Sequence, residues 1–359
     1  MLGRPEILSL FPAMPVEADW VQHVLSPLRI RLLPKGAEIP VYPGAIYLFA
    51  SVLRMNLDPA FLARVRQAGG CGLIHIGDEY YRGDFAAYAA FDFVFRMMPF
   101  EGVESPGVFP LPLGVTSDFG PECRTPPGAR ELSWMFAGDW KADRHVMARA
   151  FRDVPGGLLS LPKSYKGEAG ISRAEYKAAM SNAVFAPCPS GNVCIETFRP
   201  YEALHLGAIP LIPKRRLSDP YGLLLGPHPL PSFEDWRGAA KFVAEMWATP
   251  AALDRLQAEC LEWWDAFRPE LSRRAAAFID EGRKGAFREI LASQFGKGVG
   301  RAARLKGLLV QQNADQTFAR AGFHLRRLAH KVTTGKTLSG RWSISEPEAN
   351  SSSGPGKQD

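Results

Sequence analysis

The chain predicts two doubly wound α/β domains facing each other across a cleft and closed by C-terminal helices. Three observations point there. Two separate series of short apolar runs alternate with capped helical segments, a stretch rich in proline, glycine and charge at 117–130 divides them, and 359 residues suffice for two cores at about 150 residues each. The composition, 46% hydrophobic and 22% charged, is that of an ordinary globular protein and excludes a mostly disordered, collagen-like or coiled-coil chain.

The first series, assigned to a domain over 1–125, opens with residues 46–53 (Ile-Tyr-Leu-Phe-Ala-Ser-Val-Leu), an apolar run of buried-strand length. Asp58 is a good N-cap, Pro59 fits the first turn, and Gly69-Gly70 stops the helix they begin. Residues 72–76, 91–95 and 108–115 read as further strands, and connections of this length favour parallel pairing.

The second series lies within 131–296. Residues 134–137 form a strand, followed by a helix over about 144–153. Ser172 and Glu175 make a capping box for a helix reaching Ser181, and residues 183–187 a strand. A helix over about 198–206 ends at Gly207 before a strand at 208–212. Helices at about 233–247 (Ser232 as N-cap), 250–266 (Thr249 as N-cap) and 269–294 close the domain. Residues 297–342 form a basic, partly helical tail, and 343–359, without an apolar cluster, are expected to be disordered.

Charge is unevenly distributed. Residues 1–296 carry 32 Lys and Arg against 33 Asp and Glu, whereas 297–341 carry ten basic residues and Asp315 alone. The basic character therefore belongs to the tail and is no nucleic-acid signature of the whole chain. Its interspersed leucines and phenylalanines allow an amphipathic surface for anionic lipid, or a solvated face of terminal helices. The first thirty residues lack a secretory pattern, no run is long and apolar enough to span a bilayer, and five cysteines make no disulfide framework. The expectation is a cytoplasmic protein, peripheral at most to the inner face of the membrane.

The most informative segment is 184–212. Pro200 belongs in the first turn of its helix, so the helix begins no earlier than Thr197, the natural N-cap. Glu196 then lies in the loop at the strand's carboxyl end, Arg199 in the first turn, and Glu202 on the same face three residues on. A cation in a first turn opposes the helix dipole unless an anion is held beside it, and a guanidinium fork with free backbone N–H groups seats a diphosphate. Glu196 or Glu202 can accept from ribose hydroxyls. The alternative is a surface pair between Arg199 and Glu202 with Glu196 solvated.

Other residues carry weaker signals. Asp78 and Glu79, at a strand end facing the cleft, are candidates for a general base, while an Asp there also caps turns. A metal reading of His75, Asp78 and Glu79 lacks a second ligand cluster. Cys188 and Cys194 do not have zinc spacing, and Trp263, Trp264 and Phe267 have core spacing. No Ser/His/Asp grouping, Walker loop or Gly-x-Gly-x-x-Gly turn occurs.

The string Pro-Ser-Gly at 189–191, then Glu196-Thr-Phe-Arg-Pro-Tyr-Glu-Ala-Leu, then Gly207-Ala-Ile-Pro-Leu-Ile, resembles the donor-binding motif of GT-B glycosyltransferases. The nearest variant is that of exostosin-like enzymes, including the ribitol-xylosyltransferase group. The resemblance extends to His75-Ile-Gly-Asp78-Glu79, Phe95-Arg96, Pro112-Leu-Gly114 and the Gly138-x-x-Lys141-x-x-Arg144 turn, over about residues 70–215. It implies transfer of a sugar from a nucleotide-sugar donor to a glycan or lipid-linked acceptor. The donor would be held by Gly138, Lys141, Arg144, the loop Ser190-Gly191-Asn192, and Glu196, Thr197, Arg199 and Glu202. Asp78 or Glu79 would serve catalysis. No resident cofactor, metal or nucleic-acid partner is expected. The contrasting reading is a non-catalytic binding or scaffold protein attached to membrane or polyanion by its tail.

Overall fold

A computed structural model of the protein describes residues 6–11, 13–50, 57–139, 143–161, 170–191, 193–215 and 219–311. Lys141, Asn192, most of the basic tail and the segment 343–359 lie outside the described residues.

The first domain contains β1 (Glu6–Ser9), α1 (Ala18–Val24), β2 (Arg29–Leu32), β3 (Ile46–Ala50), α2 (Pro59–Ala68), β4 (Gly72–Ile76), β5 (Phe93–Arg96) and β6 (Val108–Pro110). The six strands form one parallel sheet in the order β2-β1-β3-β4-β5-β6. β4 and β5 are buried along their whole length, which is why their residues are mostly apolar rather than alternating, with His75 and Arg96 the buried polar exceptions. Asp58 caps α2 as expected, accepting from the Ala60 N–H at 3.2 Å. The elements before residue 46 went unread, since β1 and β2 are only four residues each and β2, Arg-Ile-Arg-Leu, buries only its isoleucine.

The second domain contains β7 (Leu132–Ala137), α3 (Arg144–Ala150), β8 (Gly157–Ser160), α4 (Arg173–Ser181), β9 (Ala183–Pro187), α5 (Arg199–His205), β10 (Ile209–Pro213), α6 (Pro220–Leu225), β11 (Ser232–Phe233) and α7 (Trp236–Trp247). Its parallel sheet has the order β11-β10-β9-β7-β8. The Ser172–Glu175 capping box is present in both directions. Two caps differ from expectation. Asp235, not Ser232, caps α7, because Ser232 is drawn into the edge strand β11. Phe198, not Thr197, is the N-cap of α5 and makes no side-chain capping bond.

The last helices are α8 (Pro250–Arg283), α9 (Arg288–Phe295) and α10 (Arg301–Gln311). A break before Pro269 was expected, yet α8 runs through it for 34 residues. Loss of one backbone hydrogen bond and the ring clash cost about 3 kcal/mol. Trp264, Phe267, Leu271, Ala275 and Phe278 are all buried along one face, and each large apolar side chain returns about 1.5–3 kcal/mol. Packing therefore overrides the proline.

This helix joins the two halves. Trp264 stacks on Trp20 of α1 at 5.6 Å and lies 6.0 Å from Tyr201 of α5, while Phe278 meets Phe93, Phe95 and Phe109 of the first sheet. One continuous apolar core thus spans both sheets, and residues beyond 270 return to the first one. α10 rests on the first domain through Gly307, against the Phe100 ring, and turns Leu305 and Leu309 to solvent. Among the described residues, no helix is long and apolar enough to cross a membrane.

Candidate functional site

A cavity of about 640 Å³ opens where the carboxyl ends of both sheets converge. The first domain contributes Glu79 beyond β4, Met98 beyond β5 and Leu113 beyond β6. The second contributes 137–139 at the end of β7, Ser160 at the end of β8, 170–173 with Tyr176, Gly191, 196–199 and Glu202, and Arg144 of α3. Doubly wound sheets place ligands at this end because the strand-to-helix loops there carry side chains free of ladder pairing.

The cavity's second-domain wall carries three guanidinium groups, and two of them, Arg199 and Arg144, flank Gly138. Arg199 donates from Nη2 to the Ala137 carbonyl at 2.7 Å and lies over the Phe136 ring at 4.3 Å. Arg144 donates from Nη1 to the Asp139 carbonyl at 3.0 Å and faces the same ring at 5.7 Å. Gly138 separates them, and a Cβ built there would lie 3.1 Å from a terminal nitrogen of each. Only glycine leaves this space open. Among the described residues neither guanidinium forms an ion pair with a carboxylate, and the Nε of each is buried without a partner. Burial, and then the neighbouring Arg199, hold the Arg144 pKa down to about 10, which leaves Arg144 cationic at neutral pH.

The pairing of Arg199 with Glu202 suggested by their spacing does not form. Glu202 instead accepts from the Tyr176 hydroxyl at 2.7 Å and from Arg173 at 3.2 Å. Arg173 also reaches Asp118, at 3.0 and 3.1 Å, and its hydrogen bonds hold that carboxyl down to about 2. Sequence reasoning missed Arg173 and Tyr176 as cavity residues. The signal available was their position in the first two turns of a helix whose capping box was legible.

Glu196 is 2% exposed on the cavity wall. Its Oε1 accepts from the Leu113 N–H at 2.8 Å and the Tyr201 hydroxyl at 2.6 Å, while Oε2 is buried without a partner. Burial pushes its pKa up to about 7 against the opposing pull of these donors. The neighbouring Thr197 Oγ1 is likewise buried and unpartnered, on the cavity wall rather than at a helix cap. Glu79 reaches the cavity from the other side, its Oε1 accepting from the Val193 N–H at 3.1 Å. Gly191 lets this carboxylate approach, since a Cβ there would stand 2.7 Å from Oε1.

Two expected site residues belong elsewhere. Asp78 is 2% exposed and not on the cavity wall. Its carboxylate accepts from the Arg82 N–H at 2.8 Å, the Gly83 N–H at 3.1 Å and the fully buried Arg96 at 3.2 Å. With both oxygens engaged and no access, it anchors structure and cannot meet an acceptor hydroxyl. Ser190 is wholly buried, its N–H donating to Asp143 at 3.0 Å and its hydroxyl accepting from Arg215 at 2.6 Å, so it supports the loop from beneath. His75 shares its Nδ1 between the Tyr88 hydroxyl at 2.7 Å and Arg96 at 2.9 Å, and its Nε2 is buried without a partner. Among the described residues no three metal-ligating side chains gather into a cluster.

Two parallel-sheet Rossmann-like domains thus share one cleft, crossed by the returning C-terminal helices. No family model and no curated protein matches the chain. Among solved structures it is similar to an α1,3-fucosyltransferase, at 11% identity over 78% of this chain and 90% of that one, with a TM-score of 0.47. It is also similar to a protein described as a UDP-N-acetylglucosamine 2-epimerase from Listeria monocytogenes (12% identity, 78% of this chain, 96% of that one, TM-score 0.43). A third is T4 phage BGT in complex with UDP-glucose (12%, 78% and 98%, TM-score 0.42).

Proposed function

We propose that this chain is a glycosyltransferase that takes a sugar from a nucleoside-diphosphate sugar and passes it to a hydroxyl of a glycan or lipid-linked acceptor. The observation that carries the reading is the pair of unneutralised guanidiniums, Arg144 and Arg199, flanking Gly138 on the cavity wall. Two buried cations placed together repel each other, and a bound dianion reverses the sign of that interaction. Departure of a nucleoside diphosphate develops negative charge on its terminal phosphate. Fixed donors in a poorly solvated site stabilise that charge without reorganising.

The remaining walls supply the other parts. Glu202, held by Tyr176 and Arg173, retains lone pairs for ribose hydroxyls. Ser160 and Ser172 lie on the same wall, where the nucleoside is placed. Lys141, three positions beyond Gly138, is assigned to the same diphosphate. Glu79 stands on the first-domain side as the carboxylate for the acceptor proton. In the transfer step the acceptor oxygen bonds to the anomeric carbon, the bond from that carbon to the phosphate oxygen breaks with its electron pair leaving on the diphosphate, and the hydroxyl proton passes to Glu79.

Calorimetric titration of UDP, GDP, ADP and dTDP, each beside its nucleoside, tests the reading. One diphosphate binds the wild type, and Arg199→Ala weakens it about tenfold or more, as loss of a charged hydrogen bond requires, while the nucleoside alone is little affected. Equal diphosphate affinities for wild type and variant refute the assignment.

A further inference from the structure

Two carboxylates cross the cleft in opposite directions at one loop, Glu79 ending on it and Glu196 starting from it. Glu79, from the first domain, accepts the Val193 N–H of the second at 3.1 Å. Glu196, three residues further along that loop, accepts the Leu113 N–H of the first domain at 2.8 Å. Leu113 and Glu196 both line the cavity, so the second contact joins the acceptor-side wall to the donor-side wall at the point where a transferred sugar must pass. Tyr201, at 2.6 Å, holds the same oxygen from within α5, the helix that begins with Arg199. One carboxylate oxygen is thus tied both to the first domain and to the element carrying a diphosphate cation.

We propose that Glu196 is a positioning residue, holding the first-domain wall of the cavity in register with the diphosphate site. Its catalytic consequence rests on the transfer reading; the tie itself does not. Breaking the tie lets water reach Glu196 and returns its carboxyl toward the ordinary range, so the closed tie holds the proton more tightly than the open one and is firmest when Glu196 is protonated. Burial places that ionisation near neutrality, at about pH 7. The titratable groups that bear on it are Tyr201, Tyr221 and Cys194, all kept neutral by burial, and the Met98 and Leu113 backbone N–H groups add the remaining pull. Glu196 alone of this set titrates in the neutral range. The tie therefore loosens as pH rises from 6 to 8.

Hydrogen exchange on the full chain reads the tie without any assumption about chemistry. After correction for intrinsic rates, the peptide containing Leu113 loses protection between pH 6 and pH 8 in the wild type, and Glu196→Gln removes that pH dependence. Glu196→Ala speeds exchange there about tenfold, the loss of one charged hydrogen bond. Identical pH behaviour of wild type and Glu196→Gln overturns the proposal, even where Glu196→Ala fails to fold.

Turnover of UDP-, GDP-, ADP- and dTDP-glucose supplies the second readout. Wild-type kcat falls on the alkaline side with a midpoint in the neutral range, Glu196→Gln flattens that limb, and the Kd for the nucleoside diphosphate is the same in both. A tenfold weaker diphosphate Kd in Glu196→Gln makes the residue a donor ligand and overturns the positioning role. Protection that behaves as described in a wild type that turns over none of these sugars, and binds none of the diphosphates, upholds the tie and refutes the transfer reading.

Discussion

Replacing Asp78 by asparagine separates an anchoring carboxylate from a catalytic one. Arg96 is wholly buried, and its neighbours His75 and Tyr88 are neutral, burial pushing the histidine pKa down and that of the tyrosine up to about 12. Among the described residues Asp78, at 3.2 Å, is the carboxylate that balances its charge. Asparagine keeps the shape but removes the charge and turns one acceptor into a donor, facing either the Arg82 N–H or the Gly83 N–H and the guanidinium together. Breaking one partner of a buried pair leaves an uncompensated ion and costs about 3–5 kcal/mol. In a chain of this size that lowers Tm by roughly 5–10 °C or more. Differential scanning fluorimetry measures the loss. Arg96→Met in the same chain, which removes the stranded cation, should recover part of it, giving a coupling of about 1 kcal/mol or more in a double-mutant cycle. Folded Asp78→Asn protein, assayed well below its Tm, should keep wild-type diphosphate affinity. An unchanged Tm together with abolished turnover would refute the anchoring argument and return Asp78 to the reaction.

Two further outcomes follow from the cavity wall. Glu196 has a folded-state pKa of about 7 against an ordinary 4.5, so the folded state binds its proton more tightly than the unfolded state. Its contribution is complete below about pH 4.5 and is lost as pH rises to 7, a difference of about 3 kcal/mol. Glu196→Gln lacks this loss, so its stability relative to wild type should rise by that order between pH 4.5 and pH 8 in urea titrations; a flat difference contradicts the burial. Gly138→Ala puts a methyl 3.1 Å from both guanidiniums, whose flexible ends can shift by a few tenths of an ångström. Stability should change by less than about 1 kcal/mol while diphosphate affinity drops several-fold in calorimetry, the two together marking a displaced anion site.

The fold was readable wherever a strand is buried on both faces or a helix carries its own cap. β3, β4, β7 and β9 are runs of four to six apolar residues, and Asp58, Ser172 and Glu175 announce their helices locally. What was hidden depends on partners far along the chain. Pro269 reads as a stop, and only the aromatic face that α8 lays across both sheets explains why it is passed. The site divides in the same way. Arg199, Arg144, Gly138, Gly191, Glu196 and Glu202 all reach the cavity, because the strand-end positions inferred for them are fixed by local sequence. Asp78 and Ser190 share those strand ends but turn inward, toward Arg96, Asp143 and Arg215, and no spacing rule encodes that rotation.

The same distinction shows why the cavity, rather than the Asp78 cluster, is where a ligand belongs. A buried polar atom left unpaired costs about 1–3 kcal/mol, and a folded chain keeps such atoms where something else compensates. Arg144 Nε, Arg199 Nε, Glu196 Oε2 and Thr197 Oγ1 are all of this kind and all belong to residues lining one cavity. Packing alone would have favoured smaller or apolar side chains at these positions. Asp78 itself is satisfied, its carboxylate meeting two N–H groups and a guanidinium, while the unpartnered atoms beside it, Arg96 Nε and His75 Nε2, belong to residues off the cavity wall. On the wall, the two guanidinium Nε donors and the Thr197 hydroxyl suit the ligand proposed above, anionic at one end and hydroxylated at the other. A diphosphate joined to a sugar has both ends.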